Sequence, residues 1–290
     1  MYRYQALMLA LLLVGELRAA DFSGTRALEW TRKAVALGQR PAGSPAIAKL
    51  QEIIRAELKA RGWQISEDAF TAQTPAGPKA MRNIIATLKG QSGKMVVFSG
   101  HYDTKLMPGV NFVGANDGGS STGWLLEAAR ALPPLPRKDD VVLVFFDGEE
   151  AFGEWSGTNG IFGSKHLAQK WRADGTLTRI KAFINVDMIG DKDLSVLDEA
   201  NSAPSLRRML RATANETGYG KYFPAHAQAI EDDHIPFVNQ GVPAIDLIDF
   251  DYGPNHDWWH TAHDTLDKSN AHSFQVVGDV LMEMYRRMQQ

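Results

Sequence analysis

Val141-Val142-Leu143-Val144-Phe145-Phe146-Asp147-Gly148-Glu149-Glu150 decides how this chain is read. Six consecutive branched or aromatic residues describe a strand covered on both faces, because a strand with one solvated face alternates apolar and polar side chains. The run stops at Asp147 and a pair of adjacent glutamates. In an open α/β sheet, ligands lie beyond the carboxyl ends of the strands, so acids at that end stand where chemistry is usually done. A solvated acidic turn is the plain alternative. Against it, neighbouring like charges repel unless a cation or a shared proton lies between them. Glu149 and Glu150 therefore suggest one carboxylate on a metal and the other free as a base.

Outward from this strand, apolar patterning alternates between helix and strand. Helical spacing covers Thr25 to Leu37 and Ser44 to Arg61, the second opened by Pro45 and closed by Gly62. Strands are expected at Trp63 to Thr71, Arg82 to Leu88 and Lys94 to Gly100, with a polar Pro/Gly loop between the first two. A helix from Thr122 to Leu132 leads into the acidic strand through Pro133-Pro134-Leu135-Pro136. Beyond it come a helix over Gly163 to Trp171, a strand over Ile180 to Asp187, a helix over Pro204 to Glu216, a strand over Val242 to Ile248 and a closing helix over Ala271 to Met288. This order predicts an α/β fold: a single domain with a mixed, mainly parallel central sheet flanked by helices on both faces.

The 290 residues and 44% hydrophobic content supply an ordinary core. A net charge of -3 gives no electrostatic reason to expect nucleic acid or an anionic membrane as partner. There is no cysteine, which excludes thiol catalysis, disulfides and cysteine metal sites; any metal must be held by His, Asp or Glu. The first twenty residues stand apart. Arg3 precedes the apolar run Ala6 to Val14, and Ala19 and Ala20 follow, which is the layout of a secretory signal peptide too short to span a bilayer. The expectation is a signal over 1–20, a catalytic domain over 21–290, and an exported protein, periplasmic or secreted, whose mature chain does not insert in a membrane.

Once the strands are aligned, His101, Asp103, Asp117, Glu149, Glu150, Asp187, Asp232, Asp233, His234 and His260 gather at or beyond their ends. Singly each has a bland explanation; Asp117, for instance, could cap the helix that follows. Together, carboxylates and imidazoles without cysteine are how a hydrolytic-type zinc site is supplied.

His101-Tyr102-Asp103, Gly114-Ala115-Asn116-Asp117, Asp147-Gly148-Glu149-Glu150, Asn185-Val186-Asp187-Met188-Ile189-Gly190 and Trp259-His260-Thr261 resemble, in order and spacing, the M28 zinc aminopeptidase-like family. Within it, the continuation Ala151 to Ser156, the stretch Phe162 to Leu167 and Glu231-Asp232-Asp233-His234-Ile235-Pro236-Phe237 are most similar to the glutaminyl-peptide cyclotransferases. These enzymes convert an N-terminal glutamine of a peptide or protein to pyroglutamate and release ammonia, with one catalytic zinc.

The resemblance implies zinc on Asp117, Glu150 and His260, with Glu149 as general acid and base, Asp187 and Asp232 in the proton-transfer network, and Trp155 and Trp259 lining the substrate pocket. It also leaves an alternative. Gly118 to Thr122 and Thr261 to Asp267 lean toward the aminopeptidases, in which His101 and Asp187 hold a second zinc and the enzyme hydrolyses N-terminal residues. An inactive peptide-binding domain of the same fold is a further alternative, against which the intact set of acids and histidines argues. The segment Tyr252 to Trp258 is left open, as either the rim of the pocket or an ordinary surface loop.

Overall fold

The acidic strand is buried at every position from Asp140 to Phe146 and lies third in a six-stranded sheet. A computed structural model describes residues 21–290. The signal-peptide reading falls on residues 1–20 and so lies outside the described residues. In chain order the elements are α1 (Gly24–Val35), α2 (Pro45–Ala60), β1 (Gln64–Thr74), β2 (Gly77–Leu88), β3 (Met95–His101), α3 (Gly119–Ala131), β4 (Asp140–Phe146), α4 (Phe162–Ala173), β5 (Ile180–Asp187), β6 (Asp198–Glu199), α5 (Pro204–Glu216), β7 (Ala227–Gln228), α6 (Ile235–Val238), β8 (Ala244–Ile248) and α7 (Ala271–Met288).

The sheet runs β1-β2-β4-β3-β5-β8. β1 with β2 and β2 with β4 are antiparallel, while β4 with β3, β3 with β5 and β5 with β8 are parallel. The expected mixed, mainly parallel sheet is therefore present. From β3 the chain crosses through α3 to β4 on one side, and from β4 through α4 to β5 on the other. The strand order thus reverses at β3, and a crevice opens at the carboxyl ends of β3, β4 and β5.

Both faces of the sheet are covered, which is why the β4 sequence is apolar throughout. Val141, Leu143 and Phe145 join the core formed with α1, α2, α3 and α7, whereas Val142, Val144 and Phe146 join the one formed with α4 and Phe237 of α6. α1 and α3 approach closely at Gly123, where a Cβ would meet Thr31 Oγ1 at 2.2 Å and the Ala27 carbonyl at 2.5 Å; glycine is required there. Helix starts follow the local chemistry: Ser44 Oγ accepts the Ile47 N–H at 3.2 Å ahead of Pro45, and Asn270 Oδ1 accepts the Ser273 N–H at 2.9 Å.

Two expectations need correction. The residues read as a Pro/Gly loop between the first two strands largely belong to a long hairpin, in which Gln73 pairs with Pro78 and Thr74 with Gly77. Backbone pairing across the hairpin overrides the local breaker signal, and Pro78 is tolerated near the turn of this two-stranded end. The helix after Asp117 begins at Gly119 rather than Thr122, because Ser120, Ser121 and Thr122 bond back to carbonyls of the preceding turn instead of capping. No helix of the described residues is long and apolar enough to cross a membrane.

Candidate active site

Gly148 aims the two glutamates. Its φ is +70°, and a Cβ would meet Met81 Sδ at 2.5 Å, so only glycine makes this turn. Asp147 turns inward. Its Oδ2 accepts the Arg82 N–H at 2.8 Å and lies 3.2 Å from the Tyr102 hydroxyl, which ties the end of β4 to β2. On the other side of the turn, Asp103 Oδ1 accepts the Glu149 N–H at 3.2 Å and Oδ2 accepts that of Glu150 at 3.4 Å.

Asp117 lies in the loop between β3 and α3. The residue before the helix is Gly118, with no side-chain cap, so Asp117 does not cap α3. The loop is instead gripped by Asp264, whose Oδ1 accepts the Asn116 N–H at 2.8 Å and whose Oδ2 accepts the Asp117 N–H at 3.1 Å. The Tyr252 hydroxyl donates to Asp264 Oδ1 at 2.7 Å. His260 has φ +51°, and its ring stacks on Trp259 with centroids 3.9 Å apart. Met188, directly after Asp187, has φ +49°. Left-handed backbone at non-glycine residues costs about 1–3 kcal/mol each and persists where the surroundings over-determine it, which is common at functional sites.

These loops bring Asp117, Glu150 and His260 together. His260 Nε2 is 3.1 Å from Glu150 Oε2 and 3.2 Å from Asp117 Oδ2, and the donor atoms of all three lie within 4.8 Å of one another. Asp117 Oδ2 is buried and is left with no hydrogen-bond partner. Donors about 2.0–2.2 Å from one tetrahedral ion stand about 3.3 Å apart, close to the spacing found here. Burial lowers the His260 pKa, but Glu150 and Asp117 outweigh it and hold it up at about 10. The acids thus demand a positive charge at Nε2, which a divalent cation also supplies. One imidazole and two carboxylates fit a zinc-type ion.

A second group shares Asp117. His101 Nε2 is 3.1 Å from Asp117 Oδ1 and 3.2 Å from Asp187 Oδ1, and its Nδ1 is 3.4 Å from Asp103 Oδ1. His101, Asp117 and Asp187 also have donor atoms within 4.8 Å of one another.

A cavity of about 600 Å³ opens over the first group. Asp117, Glu150 and His260 line it, as do Glu149, Asp187 and Asp232, and both Trp155 and Trp259 form part of its wall. His101 does not line it; it is 1% exposed and lies beneath Asp187. Burial, together with the charges of Asp232, Glu150 and Asp233 and against the opposing charge of His101, pushes the Glu149 carboxyl well above the usual range. Burial likewise raises Asp187 to about 7, with His101 opposing and Asp232 and Asp117 adding to the rise. Trp155, 40% exposed, is held by a hydrogen bond from its Nε1 to Glu231 Oε2 at 3.0 Å.

Of the residues singled out from the sequence, Asp117, Glu149, Glu150, Trp155, Asp187, Asp232, Trp259 and His260 line the cavity, whereas His101, Asp103, Asp233 and His234 do not. What local reading missed is the support. Asp264 stood only within the run Thr261 to Asp267, with nothing local to mark it as the clamp on Asp117. None of Tyr252 to Trp258 lines the cavity: Tyr252 is fully buried against Asp264 and Trp258 packs edge-on to it at 5.5 Å, while Pro254 to Asp257 between them form an exposed surface loop. Glu199, bonded to His234, was not marked by any motif.

Residues 83–285 match the model of Peptidase family M28. A glutaminyl-peptide cyclotransferase of Drosophila melanogaster is 34% identical to this chain over 241 residues, covering 74% of this chain and 67% of its own length. The crystal structure of the glutaminyl cyclase of an Acidobacteriales bacterium superposes with a TM-score of 0.90 at 43% identity, covering 99% of each chain. A Zn-dependent exopeptidase from Parabacteroides distasonis ATCC 8503 superposes with a TM-score of 0.84 at 25% identity, covering 93% of this chain and 100% of that one.

Proposed function

This chain belongs to peptidase family M28 and, within it, to the glutaminyl-peptide cyclotransferases, and from that premise we propose that it cyclises the N-terminal glutamine of peptides or proteins to pyroglutamate with release of ammonia. The observation that carries the reading is the cavity in which Asp117, Glu150 and His260 converge, with Glu149, Trp155 and Trp259 also in its lining.

The reaction joins the substrate's own α-nitrogen to its γ-carbonyl carbon and breaks the bond from that carbon to the amide nitrogen. No water and no enzyme nucleophile is consumed. The protein must orient the chain, polarise the carbonyl and move a proton. Asp117, Glu150 and His260 would hold one zinc, and a zinc bound there supplies Lewis-acid polarisation of the γ-carbonyl. Closing the ring removes two protons from the α-ammonium: Glu149 passes one to the departing nitrogen, which leaves as ammonia, and the other is released to solvent. A carboxyl raised by burial holds that proton more firmly than a solvated one, which suits it to deliver as well as to accept. Asp187 and Asp232 stand on the same wall as Glu149, where the resemblance implies a proton-transfer network. Trp155 and Trp259 hold the short side chain and exclude water, which would otherwise hydrolyse an amide.

The second reading, a two-zinc aminopeptidase, draws on the His101, Asp117 and Asp187 group. One zinc is favoured because all three residues of the first group face the cavity, whereas His101 of the second is sealed beneath it. Incubation with a Gln-Xaa peptide and with a Leu-Xaa peptide separates the readings: loss of ammonia from the first supports cyclisation, and release of free leucine from the second supports hydrolysis.

The composition of residues 1–20 supports a signal peptide and export to the periplasm or medium, with residues 21–290 as the catalytic domain. N-terminal sequencing of the exported protein checks both.

A further inference from the structure

Outside the crevice, one buried glutamate has no part in the chemistry above. Glu199 ends β6 and is fully buried together with His234, which precedes α6. Its Oε2 lies 3.1 Å from His234 Nε2 and accepts the Ser202 hydroxyl at 2.7 Å. Its Oε1 accepts the N–H of Asn201 at 2.9 Å and that of Ile230 at 3.0 Å. Burial opposes ionisation, but the bonds from His234, Asn201, Ser202 and Ile230 outweigh it and hold this carboxyl down at about 2.

What these bonds join matters more than their number. Ile230 and His234 bracket Asp232, and both Ile230 and Asp232 line the cavity. The pairing of Glu199 with Gln228 brings Gln228 and Ala229 onto the same wall. On its other side the cluster is anchored to the sheet: the Ser202 hydroxyl accepts the Asp246 N–H of β8 at 3.0 Å, and Asp246 Oδ1 accepts Asn185 Nδ2 of β5 at 3.1 Å. A loop that carries a functional acid has no regular backbone ladder to fix it, so side chains behind it must do so.

We propose that Glu199 is a positioning residue that clasps both ends of the Ile230 to His234 segment and thereby sets Asp232 and Ile230 against the substrate. The inference rests on the cyclase reading for what Asp232 does once placed. Glu199 acts only through the segment it holds.

Glu199→Ala removes both oxygens of the clasp. Glu199→Gln keeps one oxygen for the Ile230 amide and turns a donor toward Ser202 and His234. Each full-length protein, loaded with zinc, is assayed on a Gln-Xaa peptide, titrated with a chelator and followed by amide hydrogen exchange. Turnover per zinc-loaded site is expected to fall about ten- to a hundredfold in Glu199→Ala and less in Glu199→Gln, as displacement of positioned groups does. Exchange across 230–234 should accelerate, while zinc retention and exchange at 116–119 stay at wild type. A folded variant with wild-type kcat, KM and exchange at 230–234 overturns the proposal. If Glu199→Ala does not fold, Glu199→Gln decides by the same measures. If the wild-type protein releases no ammonia from the peptide, it is the cyclase reading that falls, and the exchange data alone then decide whether the clasp exists.

Discussion

Asp264 accepts the N–H of Asp117 through Oδ2 at 3.1 Å, so one of the two acids beside His260 is held in place by a further acid outside the three converging donors. Partners of this kind fix the direction of a donor and typically change metal affinity by about 10–100-fold when lost. Asp264→Ala should therefore weaken zinc retention by about that factor. Competition with a chromogenic chelator measures it, and an unchanged dissociation constant would mean that the 114–117 loop keeps its shape without the clamp.

His260→Ala removes the only nitrogen donor from the proposed zinc set. Loss of both bound zinc and ammonia release is expected, and neither should return on adding zinc at the concentration that restores the chelator-stripped wild type. A fully loaded, active His260→Ala protein would sink the assignment.

Glu149→Gln keeps the shape of the side chain and removes its capacity to carry a proton. Zinc content should match the wild type, because Glu149 is not among the three converging donors. Turnover should drop by ~10²-fold or more, the usual contribution of a general acid and base. Elemental analysis paired with steady-state kinetics tests both halves, and near-normal kcat would release Glu149 from the role.

The bond from Trp155 Nε1 to Glu231 Oε2 holds an exposed ring at the cavity wall. Trp155→Phe keeps an aromatic face and deletes the donor. A net hydrogen bond of about 0.5–1.5 kcal/mol corresponds to a KM increase of about two- to tenfold, with kcat little changed. A fall in kcat at constant KM would instead place Trp155 in the transition state.

Away from the crevice, Asp249 accepts the Ser195 N–H at 2.8 Å and is otherwise sealed. Burial raises it to about 8, with the Ser195 bond opposing and the Asp191 charge adding to the rise. The folded protein thus keeps this proton up to about pH 8, whereas the unfolded chain releases it near pH 4. Stability from this group is fully present below about pH 4, declines as pH rises through the window and is lost above about 8. Asp249→Asn is uncharged throughout, so its stability relative to the wild type should climb between pH 5 and 8.5. Urea midpoints at the two pH values measure this, and parallel curves would show that Asp249 ionises freely in the fold.

How far the chain could be read in advance followed the range of the interactions concerned. The two-sided apolar run of β4, the alternation of helices and strands, and the acids at strand ends are carried by neighbouring residues, and burial selects them locally. The hairpin of β1 and β2 ran past its breaker residues because its ladder is set by the partner strand rather than by Pro75, Gly77 and Pro78 themselves.

Within the site the same boundary holds. Sequence by itself determined the mixed, mainly parallel character of the sheet and the chemical types of the donors, and through the resemblance it implied which of two adjacent glutamates would be offered to a metal. Only the tertiary structure decided that Asp147 turns inward to Arg82, that Asp103 orients Glu149 and Glu150, and that Asp264 and Glu199 hold the loops of Asp117 and Asp232 from behind. Those are bonds donated to carboxylates by backbone amides far away in the chain. They leave no periodicity and no spacing to read, because any loop amide can serve as the donor and only the folded path brings one within 3 Å or so of a buried oxygen.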